Sequence, residues 1–279
     1  MEKRRITALL TAGVLALGAF TGCGAKSENT KEDTADGQTT ITVGANITPH
    51  AEILREAKDI LAKEGINLEV VEIEDSVTPN TSLAEGSIDA NFFQHQPYLD
   101  DFNSQNGTDL VSIGAVHYEP FGLYSSKYTS VDEIPDGAVI AVPNNTTNEA
   151  RALLLLEQEG LLKLKEGVGI EATVNDIVEN PHNISFKEAD PATLPRVLAD
   201  VDAAVINGNY AIEGGLSIKD ALATEADDGV AAKTYANIVV TTEDKKDDPA
   251  LQRLVEVLQS DEIKEFINSN YDGAVVPIS

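Results

Sequence analysis

The sequence predicts an α/β protein of two lobes, each a mixed, mostly parallel sheet flanked by helices. Three observations predict it. Short apolar runs alternate with amphipathic helical stretches along most of the chain. The order apolar run, loop, helix, glycine occurs twice, over Ile41 to Gly65 and over Ala138 to Gly160, although residue identity is too low for a sequence repeat. And 279 residues, of which 42% are hydrophobic and 24% charged, suffice to bury one or two cores.

The first element is a leader. Lys3, Arg4 and Arg5 precede an apolar stretch, Ile6 to Phe20, that has signal-peptide length and is short for a membrane span. It ends at Phe20-Thr21-Gly22-Cys23, which looks like a bacterial lipobox with Phe20 in place of the usual aliphatic residue. Residues 1–22 are therefore expected to be removed, leaving Cys23 lipidated at the new N-terminus; a buried free thiol is the alternative. Cys23 is the single cysteine, so neither a disulfide nor a cysteine-based metal site is available. Residues 23–38 include KSENTKEDTADGQ, too polar to bury surface, and read as a flexible tether.

The folded part begins near Thr39. Ile41 to Ala45 reads as a strand, Pro49 to Ala62 as a helix with Ile53, Leu54, Ala57, Ile60 and Leu61 on one face, and Asn67 to Ile73 as a strand. A short helix over Thr81 to Glu85, a strand over Ile88 to Phe93 and a helix over Pro97 to Gln105, closed by Asn106-Gly107, complete the first unit. The second opens with a strand at Ala138 to Val142 and a helix from Thr147 to Glu159. Val201 to Ile206 and Tyr235 to Thr241 are further strands, and one long helix, Pro249 to Asn268, is expected near the end. Ligands of such folds bind outside the carboxyl ends of the parallel strands.

Composition excludes several functions. With 47 Asp and Glu against 20 Lys and Arg, the chain has the wrong sign for nucleic acid or for adhesion to anionic lipid. Nucleophile-elbow, zinc-protease, redox-cysteine and phosphate-loop motifs do not occur, and the four histidines lack metal-ligand spacing. Neither an enzyme nor a cofactor or metal is expected.

Arginine is the informative residue, because only Arg55, Arg151, Arg196 and Arg253 follow the leader. Arg151 lies in the first turns of a helix that leaves a strand through Asn144-Asn145-Thr146-Thr147-Asn148, where helix N-terminal amides already favour an anion. A guanidinium there can hold a carboxylate with two parallel hydrogen bonds; a surface ion pair with Glu149 or Glu157 is the alternative. Asn207 ends an apolar strand and Asn237 sits within YANIVV, and an amide can meet both ends of a zwitterion. Each also has a structural reading, Asn207 as a turn residue and Asn237 as a strand residue. The run Asn91-Phe92-Phe93-Gln94-His95-Gln96-Pro97-Tyr98 reads either as core or as the wall of an apolar pocket. Tyr118 and Glu119 form a second candidate wall, with Glu119 able to meet an ammonium group.

These segments resemble the NlpA family of methionine-binding lipoproteins. The resemblance rests on Asp89 to Leu99, Glu119 to Ser125, Pro143 to Asn145 with Asn148 to Leu153, and Leu194 to Arg196 with Asp202 to Ala211. It runs in order from about Thr39 to the carboxyl end. It implies a periplasmic-binding-protein-like fold of type II, with lobe I from 39–121 plus 237–279, lobe II from 122–236, and an amino acid buried between them. It implies that Arg151 holds the ligand carboxylate, that Asn207 and Asn237 fix the amino-acid backbone, and that Phe92, Phe93 and His95, with Tyr118 and Glu119, wall the pocket. The expected ligand is L-methionine, with D-methionine, another amino acid or a methionine-containing dipeptide as alternatives, and a surface adhesin as a further one. The expected partners are an ABC importer's permease and ATPase and the cell membrane, reached through the Cys23 lipid on the extracytoplasmic side. The protein is expected to act as a monomer.

Overall fold

The first sheet forms because alternate residues of its strands are apolar. In β1 (Thr39–Ala45), Ile41, Val43 and Ala45 are buried while Thr39 and Thr40 are not. The computed structural model describes residues 38–225 and 233–278; the leader, Cys23 and most of the tether lie outside them. A short turn of wide helix over Ile47–Ala51 contains Pro49, so α1 (Glu52–Lys63) starts three residues later than Pro49 predicted. Its Ile53, Leu54, Ala57 and Leu61 face the sheet. Gly65, at φ 81°, then reverses the chain in a conformation that disfavours any side chain.

Next come β2 (Ile66–Glu72), α2 (Thr78–Ala84), β3 (Ala90–His95) and α3 (Gln96–Asn106), the last closed by Gly107 in the left-handed region, as its Asn106-Gly107 signal predicts. The chain continues through β4 (Val111–Tyr118). It then leaves for the second sheet and returns as β12 (Asn237–Thr241) and β13 (Val276–Pro277), giving the strand order β13-β4-β12-β3-β1-β2.

The second sheet is built from β5 (Gly122–Tyr124), β6 (Val139–Pro143), β9 (Ser185–Ala189), β10 (Ala203–Ile206) and β11 (Ala223–Thr224), in the order β11-β5-β10-β6-β9. A small ribbon pairs β7 (Lys163–Leu164) with β8 (Ile177–Glu179). The helix α4 (Thr146–Gln158) covers one face with Leu153, Leu155 and Leu156, while α5 (Leu194–Val197) and α6 (Gly208–Glu213) contribute Leu194 and Tyr210 to the other. Each sheet is therefore sandwiched between two apolar clusters, and each fully buried Leu or Ile contributes about 1.5–3 kcal/mol.

Two expectations need correction. The sheets are mixed, but parallel pairings do not dominate: four are parallel and five antiparallel among the described strands of the two large sheets. Four of the antiparallel ones arise where the chain crosses between sheets, because β5 and β12 enter their sheets from the opposite end; the fifth is the terminal strand β13 against β4. The single helix predicted over Pro249 to Asn268 is two, α7 (Pro249–Leu258) and α8 (Asp261–Asn270). Ser260 separates them: its hydroxyl accepts from the Ile263 amide at 3.4 Å and starts a new helix, with Asp261 and Glu262 favouring its positive end.

Candidate functional site

The parallel strands of both sheets end at one place. Asn46 follows β1, His95 ends β3, Asn145 lies two residues beyond β6, and Asn207 follows β10; all four line one cavity between the two sheets. That is where ligands of open α/β sheets bind. Across it, His95 Nε2 meets Asn148 Oδ1 at 3.1 Å, Asn209 Nδ2 donates to Asn46 Oδ1 at 3.2 Å, and the Tyr210 hydroxyl donates to the Glu74 carbonyl at 3.4 Å. The lobes thus touch around the cavity rather than standing apart.

Arg151 is 3% exposed and lines the cavity. Its ion pair is with neither Glu149 nor Glu157 but with Glu225: Nε donates to Oε1 and Nη2 to Oε2, both at 2.6 Å. Nη2 also donates to the Glu119 carbonyl at 2.8 Å. The Phe121 and Tyr235 rings lie 4.0 and 4.3 Å from Cζ, a cation–π arrangement of about 0.5–2 kcal/mol. Burial opposes the guanidinium charge, yet the Glu225 carboxylate outweighs it and raises the Arg151 pKa further. Burial likewise opposes ionisation of Glu225, and Arg151 outweighs it, holding that carboxyl below the usual range.

Glu119 supplies a buried carboxylate in the cavity wall itself. Burial pushes its pKa up, but the hydrogen bond from His117 Nε2 at 2.6 Å and the Asn209 backbone amide bring it down. His50 Nε2 lies 2.9 Å from Asn237 Oδ1 and 3.5 Å from Glu119 Oε1. Burial holds the His50 pKa at about 4. Donation from Nε2 leaves its buried Nδ1 without a hydrogen-bond partner among the described residues, as expected of a neutral ring. It also occupies the Asn237 carbonyl oxygen.

The sequence treats the histidines as scattered, but the fold gathers His50, His117 and Glu119, which could offer three ligand atoms to a cation within 4.8 Å. The 2.6 Å His117–Glu119 separation is a direct hydrogen bond, shorter than two ligands of one ion stand apart.

Of the residues singled out in the sequence, Arg151, Asn207, Asn237, Phe93, His95 and Glu119 line the cavity. Asn207 Oδ1 is buried without a hydrogen-bond partner among the described residues, and in a cavity wall it is an acceptor waiting for a donor. Burial, followed by the Arg151 charge, lowers the His95 pKa to about 4. The His95 ring accepts from the Tyr98 amide through Nδ1, so it is a neutral wall. Phe92 is not in the cavity wall: it packs edge-on to His50 and His117, with centroids at 4.8 and 5.3 Å, behind the lining residues Asn237 and Glu119 that those histidines bond. Tyr118 also stands behind the wall, donating its hydroxyl to Glu225 at 2.7 Å.

Sequence reasoning missed Asn46 and Asn209 in the lining, and Glu225 behind it, whereas Tyr98 lies at the end of the run read as a candidate pocket wall. For Asn46 a signal existed, since it follows a strand's apolar run as Asn207 does. Gln94 lines the cavity but has its amide tied to Asn80 and Asn91 at 2.6 to 2.9 Å, so it acts as scaffold.

Two α/β lobes with a cavity between them at the strand ends, lined by both signs of buried charge, define a solute-binding protein. Comparison with known proteins agrees. The chain belongs to the NlpA lipoprotein family, whose model matches residues 41–279. It is 42% identical to the methionine-binding lipoprotein MetQ of Bacillus subtilis over 287 aligned positions, covering 100% of both chains. Among solved structures, a lipoprotein from Ruminococcus gnavus is 54% identical with a TM-score of 0.85, covering 86% of this chain and 100% of that one. A nutrient-binding protein from Burkholderia cenocepacia, solved bound to methionine, is 45% identical with a TM-score of 0.82 over the same shares. Among the described residues no helix is long and apolar enough to cross a membrane.

Proposed function

We propose that the cavity holds L-methionine and that the protein delivers it, as a monomer, to the permease and ATPase of an ABC importer. The observation that carries the reading is the pairing of Arg151 and Glu119 in one buried wall. A neutral zwitterion satisfies both signs at once. Its carboxylate meets the Arg151 guanidinium and the Asn237 amide nitrogen. Its ammonium group meets Glu119 and the Asn207 carbonyl, which lacks a donor of its own. Phe93 and Tyr98, edge-on at 5.9 Å, offer ring surface to a thioether. The names of the Bacillus and Burkholderia relatives support methionine in particular.

Capture follows from the two-lobe plan. Residues 39–121 with 237–279 close against 122–236, and only interactions that the closed form makes and the open form lacks can drive closure. The apolar leader and Cys23 place the protein on the extracytoplasmic membrane face through a lipid. Binding rather than turnover is the activity. Calorimetric titration with L-methionine, D-methionine, glycyl-methionine and leucine tests the reading. L-methionine should bind tightest, and failure of every amino acid to bind would refute it.

A further inference from the structure

Glu225 follows the edge strand β11 and is not in the cavity wall, whereas Arg151 is. Its carboxylate nevertheless accepts four hydrogen bonds: from Arg151 Nε and Nη2 at 2.6 Å each, from the Tyr118 hydroxyl at 2.7 Å and from the Phe121 amide at 2.9 Å. With Nη2 also donating to the Glu119 carbonyl, these bonds engage Nε and Nη2 and leave Nη1. The bidentate clasp that the sequence suggested for a ligand carboxylate is already taken by the protein's own acid.

We propose that Glu225 is a positioning residue for ligand recognition: it holds Arg151 from behind the wall so that Nη1 alone meets the ligand carboxylate. The proposal rests on the reading of the cavity as an amino-acid site. A free arginine has many rotamers, and a carboxylate gripping its Nε–Nη2 edge removes them before ligand arrives. The two rings beside Cζ fix the guanidinium plane, and Glu225 fixes its rotation within that plane. A glutamine cannot substitute, because its amide nitrogen would oppose one of the two arginine donors.

The test uses the full chain in detergent, with L-methionine and L-methioninamide as probes, the second lacking the carboxylate. Wild type should prefer methionine strongly. Glu225→Gln should reduce that preference by about tenfold or more, by weakening methionine while leaving the amide nearly unchanged. Glu225→Asp keeps the charge but falls one methylene short of spanning both nitrogens, so its preference should be intermediate. An unchanged preference in either variant would overturn the proposal. So would equal losses for both probes, which indicate a purely structural role. Tighter methionine binding by Glu225→Gln would overturn it too, by showing that Glu225 competes with the ligand. A wild-type chain that binds neither probe would instead sink the amino-acid reading, and this proposal with it.

Discussion

Replacing Arg151 with Ala should produce two separable losses, one in affinity and one in folding. The ligand loses a charge-assisted hydrogen bond of about 1.5–3 kcal/mol, so the Kd for L-methionine should rise roughly 10- to 150-fold. Independently, Glu225 is left buried without the charge that held its pKa down. Breaking a buried pair by removing one partner costs about 3–5 kcal/mol. The Tyr118 hydroxyl and the Phe121 amide still donate to Glu225, so the lower end is expected. At about 2–4 °C per kcal/mol for a domain of this size, the unliganded Tm should fall by about 6–12 °C. The double variant Arg151→Ala with Glu225→Gln removes the stranded charge. It should recover most of the Tm and none of the affinity. Thermal unfolding without ligand and calorimetry with L-methionine read the two losses separately. A folded Arg151→Ala protein that binds within about twofold of wild type would refute the reasoning.

Acid should weaken the fold through two buried imidazoles. His50 and His95 are held at about 4 when folded, against 6.5 for an ordinary histidine. Between those values the unfolded chain binds protons that the folded one refuses, so stability falls as pH falls, by up to about 3 kcal/mol for each ring. Glu119 and Glu225, held below the usual range, add their losses only at lower pH, as they protonate. A Tm that stays flat from pH 7 to about 4.5 would contradict this. Gly208→Ala places a Cβ 2.7 Å from the Glu119 Cβ, nearer than real side chains approach. The strain, about 1–3 kcal/mol, should weaken methionine binding roughly 5- to 150-fold, and an unchanged Kd would show that the segment yields freely. Cys23→Ser should move the protein from the membrane fraction into the soluble fraction of cells, and retention on membranes would argue against a lipid anchor.

How far the sequence reveals this molecule depends on the range of each signal. Strands and helices with local periodicity were legible, and so was Arg151, because a charge at a strand-to-helix junction is a local pattern. The break at Ser260 was local too, a capping residue inside a helical period, and was outweighed by the apolar spacing on either side. Phe92 and Phe93 could not be separated by alternation alone, because a bulge in the pairing of β3 with β12 lets the consecutive residues Phe93, Gln94 and His95 all reach the cavity. Glu225 could not be found this way. It lies 74 residues from Arg151, in a stretch without periodicity, and only the tertiary fold makes it the arginine's partner. His117 and Glu119, two residues apart, are a local pair that alternation could have suggested, whereas only the tertiary fold brings His50 to Glu119.

The central claim is tested most directly by a crystal structure of the protein grown with L-methionine. The account predicts one methionine in the inter-sheet cavity, its carboxylate on Nη1 of Arg151 with Glu225 still on Nε and Nη2, and its ammonium at Glu119 and Asn207. A ligand lodged elsewhere, or one whose carboxylate avoids Arg151, would contradict it.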